Sequence, residues 1–216
     1  MSYLGYRDGD ADTAWGGFFD AEMAPLPPPV VTALEHGPQA DQTLLGFDDV
    51  ATILEPGSQQ TENGYGYLRG GGFQVSVRTA MPGVTPVMWD WHLGSTYTKA
   101  AIRFVEPASL GLEQLGEDLA VCARLGSSEV PVDIGWLVHH VRATADGAEM
   151  RSRFWLGGRH IGVRSGGRQA GNWLADNVIR PIAVRQLPDP RDLLVHCAQE
   201  MNHLAGFLPE LHTQFS

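Results

Sequence analysis

The sequence predicts an α+β domain in which a curved antiparallel sheet closes around one long C-terminal helix and leaves a cavity between them. Three observations predict it: period-two alternation through the middle of the chain, turn residues between the alternating runs, and a long amphipathic stretch at the end. With 216 residues, 43% of them hydrophobic, there is apolar surface for one core. Residues 1–216 therefore read as a single domain, with 1–57 as an N-terminal wrapping segment carrying short helices and 58–216 as the sheet-and-helix core.

The wrapping segment carries aromatics that would be costly to leave in water, and "APLPPP" precedes a short helix, "VVTALEHG", ending at Gly37-Pro38. A second short helix, "DDVATILEPG", is stopped by Pro56-Gly57. "ENGYGYLRGGGFQVSVRTAMPG" then alternates as two strands about a glycine turn. "TPVMWDWHLGSTYTKAAIRFVEP" ends in another strand, and "SLGLEQLGEDLAVCARLG" is expected to be an amphipathic helix or a helix plus loop. "VPVDIGWLVHHVRATADGAEMRSRFWLGG" is the clearest hairpin, two long strands joined across Ala145-Asp146-Gly147. "RSGGRQAGNWLADNVIRPIAVR" reads as a loop and short helix. The terminal helix opens at Asp189 as N-cap with Pro190 in its first turn, and is expected to run to about Gly206 because Pro209 follows.

Composition excludes several functions. A net charge of -10, from 15 Lys+Arg against 25 Asp+Glu with no basic run, leaves no footprint for nucleic acid. No signal-peptide pattern opens the chain and no apolar run approaches membrane-spanning length, so a soluble, cytoplasmic protein with no membrane partner is expected. Cys122 and Cys197 lie far apart in apolar contexts, which suits reduced, buried thiols.

On the terminal helix Leu194, Cys197, Ala198, Met201, Leu204, Ala205 and Leu208 form an apolar stripe. His196, Glu200 and His203 stack on the adjoining face. A helix gripped by a sheet would turn that second stripe into the cavity, and an imidazole and a carboxylate one turn apart can share a divalent ion. The same spacing also occurs on ordinary solvated helices, and two donors do not make a metal site.

"AEMAPLPP", "LEPG", "ENGYG", "MPGVTPVMWDW", "IRFVEPASLGL", "GWLVHHVRATADGAEMRSRFWLGG" and "HCAQEMNHLAGFLP" resemble, in order over nearly the whole chain, the diacetylphloroglucinol hydrolase and phloretin hydrolase family. The resemblance implies a helix-grip fold of the Bet v 1 type and zinc-dependent hydrolysis of a carbon-carbon bond between an aromatic ring and an acyl group. It makes His196 and Glu200 zinc ligands and His139 a pocket histidine. The chain departs from the family pattern where "MWDWH" passes almost directly to "AAIRF": His92 is the one histidine there, and no acidic residue lies between Asp90 and Glu106 to serve as a further ligand. Trp89 and Phe154 stand where the family has tyrosines that hydrogen-bond substrate hydroxyls, which implies a less hydroxylated substrate.

The site expected is His92, His196 and Glu200 on zinc, His139 and Glu200 in catalysis, and Trp89, Trp136, Phe154 and His203 around a small aromatic or polyketide-like substrate, of which the resemblance itself supplies His196, Glu200, His139 and the positions of Trp89 and Phe154. For the tryptophans, filling core is the competing role. The expected reaction is retro-Claisen cleavage of an acyl-phenol or β-diketone-like molecule, with His139 protonating the leaving carbon or positioning the water. Two other functions use the same cavity: a metal-independent cyclase of polyketide-like chains, and a non-catalytic small-molecule binder. The long N-terminal segment further suggests a homodimer.

Overall fold

The computed structural model describes residues 9, 12–18, 22–96, 102–113, 115–126, 132–163, 177–178, 180–185 and 187–216. Period-two alternation becomes a sheet of β1 (Gly64–Tyr67), β2 (Phe73–Pro82), β3 (Ile102–Val105), β4 (Leu119–Gly126), β5 (Val132–Thr144) and β6 (Gly147–Leu156). Their order is β1-β2-β6-β5-β4-β3, every pairing antiparallel, and a short β7 (Gly162–Val163) pairs with the start of β5. The helices are α1 (Pro28–His36), α2 (Pro86–Thr96), α3 (Arg180–Val184) and the terminal α4 (Pro190–Phe215). Among the described residues no helix is long and apolar enough to cross a membrane.

The hairpin of β5 and β6 is the centre of the sheet. Gly147 has φ of +146°, and a Cβ there would lie 2.5 Å from the Met81 carbonyl oxygen, so the turn beside β2 needs glycine. From that turn the pleat sends alternate residues to opposite faces. Leu137, Val141, Met150 and Phe154 join Val75, Val77 and Met81 of β2 under the α4 stripe of Leu194, Cys197, Ala198, Met201, Leu204 and Leu208.

The other face is covered by residues 45–63 and is unusually polar. Val138 and Trp155 pack there with Val50 and Ile53, and the Trp155 indole donates to the Leu45 carbonyl at 2.8 Å. Beside them lie two fully buried guanidiniums. Arg151 donates to the carbonyls of Ile53, Glu55 and Gly57, and Arg153 to Gln59 Oε1 (2.6 Å), the Thr61 carbonyl (3.1 Å) and Glu62 Oε2 (3.3 Å). His140 completes the layer, with Nδ1 3.2 Å from the Ile53 carbonyl and Nε2 3.0 Å from Asp118. Burial, the largest influence, holds its pKa below the usual imidazole value, with Asp118 opposing.

Two sequence expectations are corrected, and one helix was not foreseen. Residues 119–126 are strand β4, not helix, because "LAVCARLG" pairs along β5 from Val141 to Gly135; a short apolar run does not declare its period. α2 occupies 86–96, with Thr85 Oγ1 accepting from Met88 N at 3.3 Å, a Thr-Pro start that the tryptophan-rich composition masks. α4 does not stop before Pro209 but continues to Phe215. Packing beyond the proline carries it: Leu208 is fully buried, His212 meets Trp91 edge-on at 5.2 Å, and Phe215 meets Phe18 and Trp15.

Arg153→Ala removes a guanidinium that three groups of residues 59–62 share, leaving the Glu62 carboxylate without it. The variant is expected to lose about 3–5 kcal/mol of unfolding free energy, read by urea denaturation at neutral pH.

Candidate functional site

The site begins with the register of the central hairpin. His139 and Ser152 are equidistant from the Ala145-Asp146 turn and pair directly across β5 and β6, on the face beneath α4. His139 Nδ1 lies 2.8 Å from Ser152 Oγ. α2 lays the Trp89 ring 5.4 Å from the imidazole at 60°, and Phe154 stands edge-on at 6.2 Å. His139 is 5% exposed and Trp89 2%, and burial pulls the His139 pKa down to about 4, so the ring is neutral at physiological pH. The Trp89 indole N–H is buried and has no hydrogen-bond partner among the described residues. Across from Ser152 lies the buried Cys197 of α4, whose thiol burial pushes up to about 12, too high for a nucleophile.

Trp89, His139 and Phe154 are thus brought together. Ser152 and Cys197 were missed. Ser152 could have been found by counting outward from the turn, but Cys197 joins only through the packing of α4 on the sheet.

One turn along α4, His196 Nε2 and Glu200 Oε2 are 3.5 Å apart, with their side chains 56% and 48% exposed. Burial raises the Glu200 pKa and His196 opposes it. The loss of solvation is therefore partial, and the carboxyl sits at the rim, neither enclosed nor free in solvent. Burial likewise lowers the His92 pKa. Among the described residues no three His, Cys, Asp or Glu side chains gather closely enough to hold a metal ion, so His92 is not brought to the His196–Glu200 pair. Two donors one turn apart do not fit a catalytic zinc, which takes three protein ligands and keeps one position open.

Two further residues stand elsewhere. Trp136, expected around the substrate, is one position out of phase with Leu137 and His139, and the pleat carries it to the opposite face. There it stacks on Phe47 at 4.8 Å beneath the Arg124 guanidinium at 4.6 Å. His203 meets Phe207 at 5.5 Å, beside the Phe18 end of α4, and not the His139 group.

The arrangement offers apolar ring faces with a neutral imidazole, an indole donor that bonds none of the described residues, and a carboxyl of raised pKa on the neighbouring helix face. That set suits a planar ligand bearing an acceptor oxygen and a proton transfer at its edge.

A model of the DAPG hydrolase PhiG domain matches residues 44–94 and 92–213. A 2,4-diacetylphloroglucinol hydrolase of Pseudomonas protegens is 25% identical over 258 residues, covering 92% of this chain and 83% of that protein. A second, from Pseudomonas sp, is 25% identical over 258 residues, covering 92% of this chain and 87% of that protein. Phloretin hydrolase of Eubacterium ramulus is 28% identical over 89 residues, 41% of this chain and 32% of that protein. Alignments of 258 residues exceed the 216 of this chain, so the relatives carry residues with no counterpart here. The family match falls in two segments that meet at 92–94, inside α2.

Since the folded His139 titrates near 4 against 6.5 when free, the native state binds fewer protons than the unfolded chain between those values. Its contribution is complete above about pH 6.5 and fades as the pH falls towards 4, by at most about 1.4 kcal/mol per pH unit. Urea unfolding of wild type and His139→Gln at pH 7 and 4.5 should show the variant losing roughly 2–3 kcal/mol less stability over that interval.

Proposed function

The chain belongs to the DAPG hydrolase PhiG domain family, and from that premise we propose that it hydrolyses the carbon-carbon bond joining an acyl group to a phenolic ring. The observation that carries this reading is the buried, neutral His139 packed against the Trp89 and Phe154 rings on the face beneath α4. In this reading the sheet grips α4 in the helix-grip manner, and the ring of the substrate lies in the hollow between them.

The reaction is a retro-Claisen cleavage. Water oxygen bonds to the acyl carbon, the bond from that carbon to the ring breaks with its electron pair going to the ring carbon, and that carbon takes a proton. The products are the deacylated phenol and a carboxylic acid. Glu200 suits the proton traffic, because a carboxylate whose pKa burial raises is a better base than one in open water, and it can return the same proton to the ring carbon. Trp89 offers its unpartnered indole N–H to one substrate oxygen. Where the resemblance expects phenols, Trp89 and Phe154 between them present one donor, so a ring with fewer hydroxyls is favoured. A hydroxyl buried there without a partner would cost about 1–3 kcal/mol.

The described residues do not make a zinc centre, and no step above passes through a metal. Zinc dependence is a separate proposal, and it requires His92 to reach the His196–Glu200 pair.

The direct test incubates the purified protein with 2,4-diacetylphloroglucinol, phloretin and a monohydroxylated aryl ketone, following carboxylic acid release. Acid release from at least one, reduced roughly 10²- to 10⁴-fold in Glu200→Gln, is expected. Cyclised product without acid release would make the protein a cyclase, and binding without turnover would make it a carrier.

Protein purified without a polyhistidine tag is expected to hold well under one equivalent of zinc by elemental analysis, unchanged in Glu200→Gln. A full equivalent that the substitution abolishes would place His196 and Glu200 in a metal centre.

A further inference from the structure

We infer that a cavity beside the His139 group, over β4 near the edge of the sheet, receives the acyl chain of the substrate, and that the chain it fits is aliphatic, longer than acetyl and without negative charge at its end. That the occupant is the acyl part rests on the hydrolase reading. That the cavity takes such a chain rests on its walls.

The cavity arises where β3 stops. β3 pairs with β4 from Ile102 opposite Leu125 to Val105 opposite Cys122, and the chain then leaves the sheet in a 3-10 turn, Pro107–Leu110. β4 begins at Leu119, so among the described residues its first three have no strand on that side. The result is a notch of about 420 Å³, within the roughly 300–1,000 Å³ usual for small-molecule sites. Phe104, Val105, Leu119 and Val121 give it apolar walls. Asp90 of α2 and Glu106 also line it, and no lysine, arginine or histidine does. Both carboxylates and Phe104 are exposed while Val121 is buried, so the notch opens outward and is floored by β4.

Register ties the notch to the site. Val121 is the direct partner of His139 across β4 and β5, as Ser152 is across β5 and β6. It therefore stands on the face beneath α4, beside the imidazole and on the side away from Phe154. Asp90 follows Trp89, whose ring lies 5.4 Å from that imidazole. A substrate with its aromatic ring towards Phe154 and its carbonyl at His139 thus sends its acyl chain over Val121 into the notch. An acetyl group extends one carbon-carbon bond, about 1.5 Å, from its carbonyl and stops short of β4, which lies about 4.8 Å from β5. A chain of four to six carbons crosses that spacing and buries its methylenes against the apolar walls. A carboxylate at its end would meet Asp90 and Glu106 with no cation in the lining to offset them. The two segments of the family match meet within a turn of Asp90, so this wall adjoins the part of the chain that departs from the family pattern.

A series of para-hydroxyphenyl ketones with acetyl, butanoyl and hexanoyl chains tests this, by titration calorimetry and, where acid is released, by kcat/KM. Wild type is expected to bind about three- to fourfold more tightly per added methylene. Leu119→Trp, which fills the notch from a half-buried position, should flatten that dependence, read as the hexanoyl-to-acetyl ratio within the variant. No gain with length in wild type overturns the inference. So does an undiminished gain in Leu119→Trp that keeps the wild-type circular dichroism. A hexanoyl chain ending in a carboxylate should bind about tenfold more weakly than one ending in a hydroxyl, and Asp90→Asn with Glu106→Gln should narrow that gap. Equal affinity of the two chain ends, or a gap the double variant leaves unchanged, overturns the charge selection. If length and charge act as stated but no acid is released, the hydrolase reading fails and the notch stands as a binding site for such chains.

Discussion

Everything in this molecule depends on the register of β5 against β6. Because side chains alternate across a strand, that single pairing decides that His139, Ser152 and Phe154 face α4 while His140, Arg151, Arg153 and Trp155 face residues 45–63. A slip by one residue would bring the two guanidiniums under the apolar stripe of α4. It would also take from the carbonyls of Ile53, Glu55, Gly57 and Thr61 the donors they meet on the far face. Unpaired buried charge costs several kcal/mol, so the polar layer enforces the register on which the apolar side relies.

Adjacent histidines show how far one pleat can separate two chemistries. His139 lies among rings and a hydroxyl and is neutral, with a pKa near 4. His140, its neighbour in sequence, lies between a carboxylate and a backbone carbonyl and is built into the polar layer by two acceptors. Neither fate follows from residue type. Each follows from which side of the sheet the backbone presents and what the rest of the chain lays against it.

Much of this was legible in the sequence. Alternation and the Ala145-Asp146 turn marked the hairpin, Asp189 marked the start of α4 and caps it at Arg191 N, and the 196/200 spacing put His196 and Glu200 on one helical face. What was not legible lay in partners remote in sequence. "LAVCARLG" is a strand because β5 is beside it, and α4 passes Pro209 because Trp91 and the Phe18 region hold its last turns. Trp136 shows a different failure: its alternation with His139 was visible, but a tryptophan near a candidate site was counted as lining it. The third metal donor was an expectation of resemblance, and His92 on α2 does not join the pair on α4.

The polar layer also has a consequence in time. Its hydrogen bonds join residues 53–62 to β6 across 89 to 98 positions of sequence, and without β6 the carbonyls they satisfy have only water. During synthesis the early segment must therefore wait, unanchored, until β6 emerges. Such high contact order makes for slow assembly through exposed intermediates. The same reach that ties the first quarter of the chain to its centre delays the moment at which the sheet is complete on both sides.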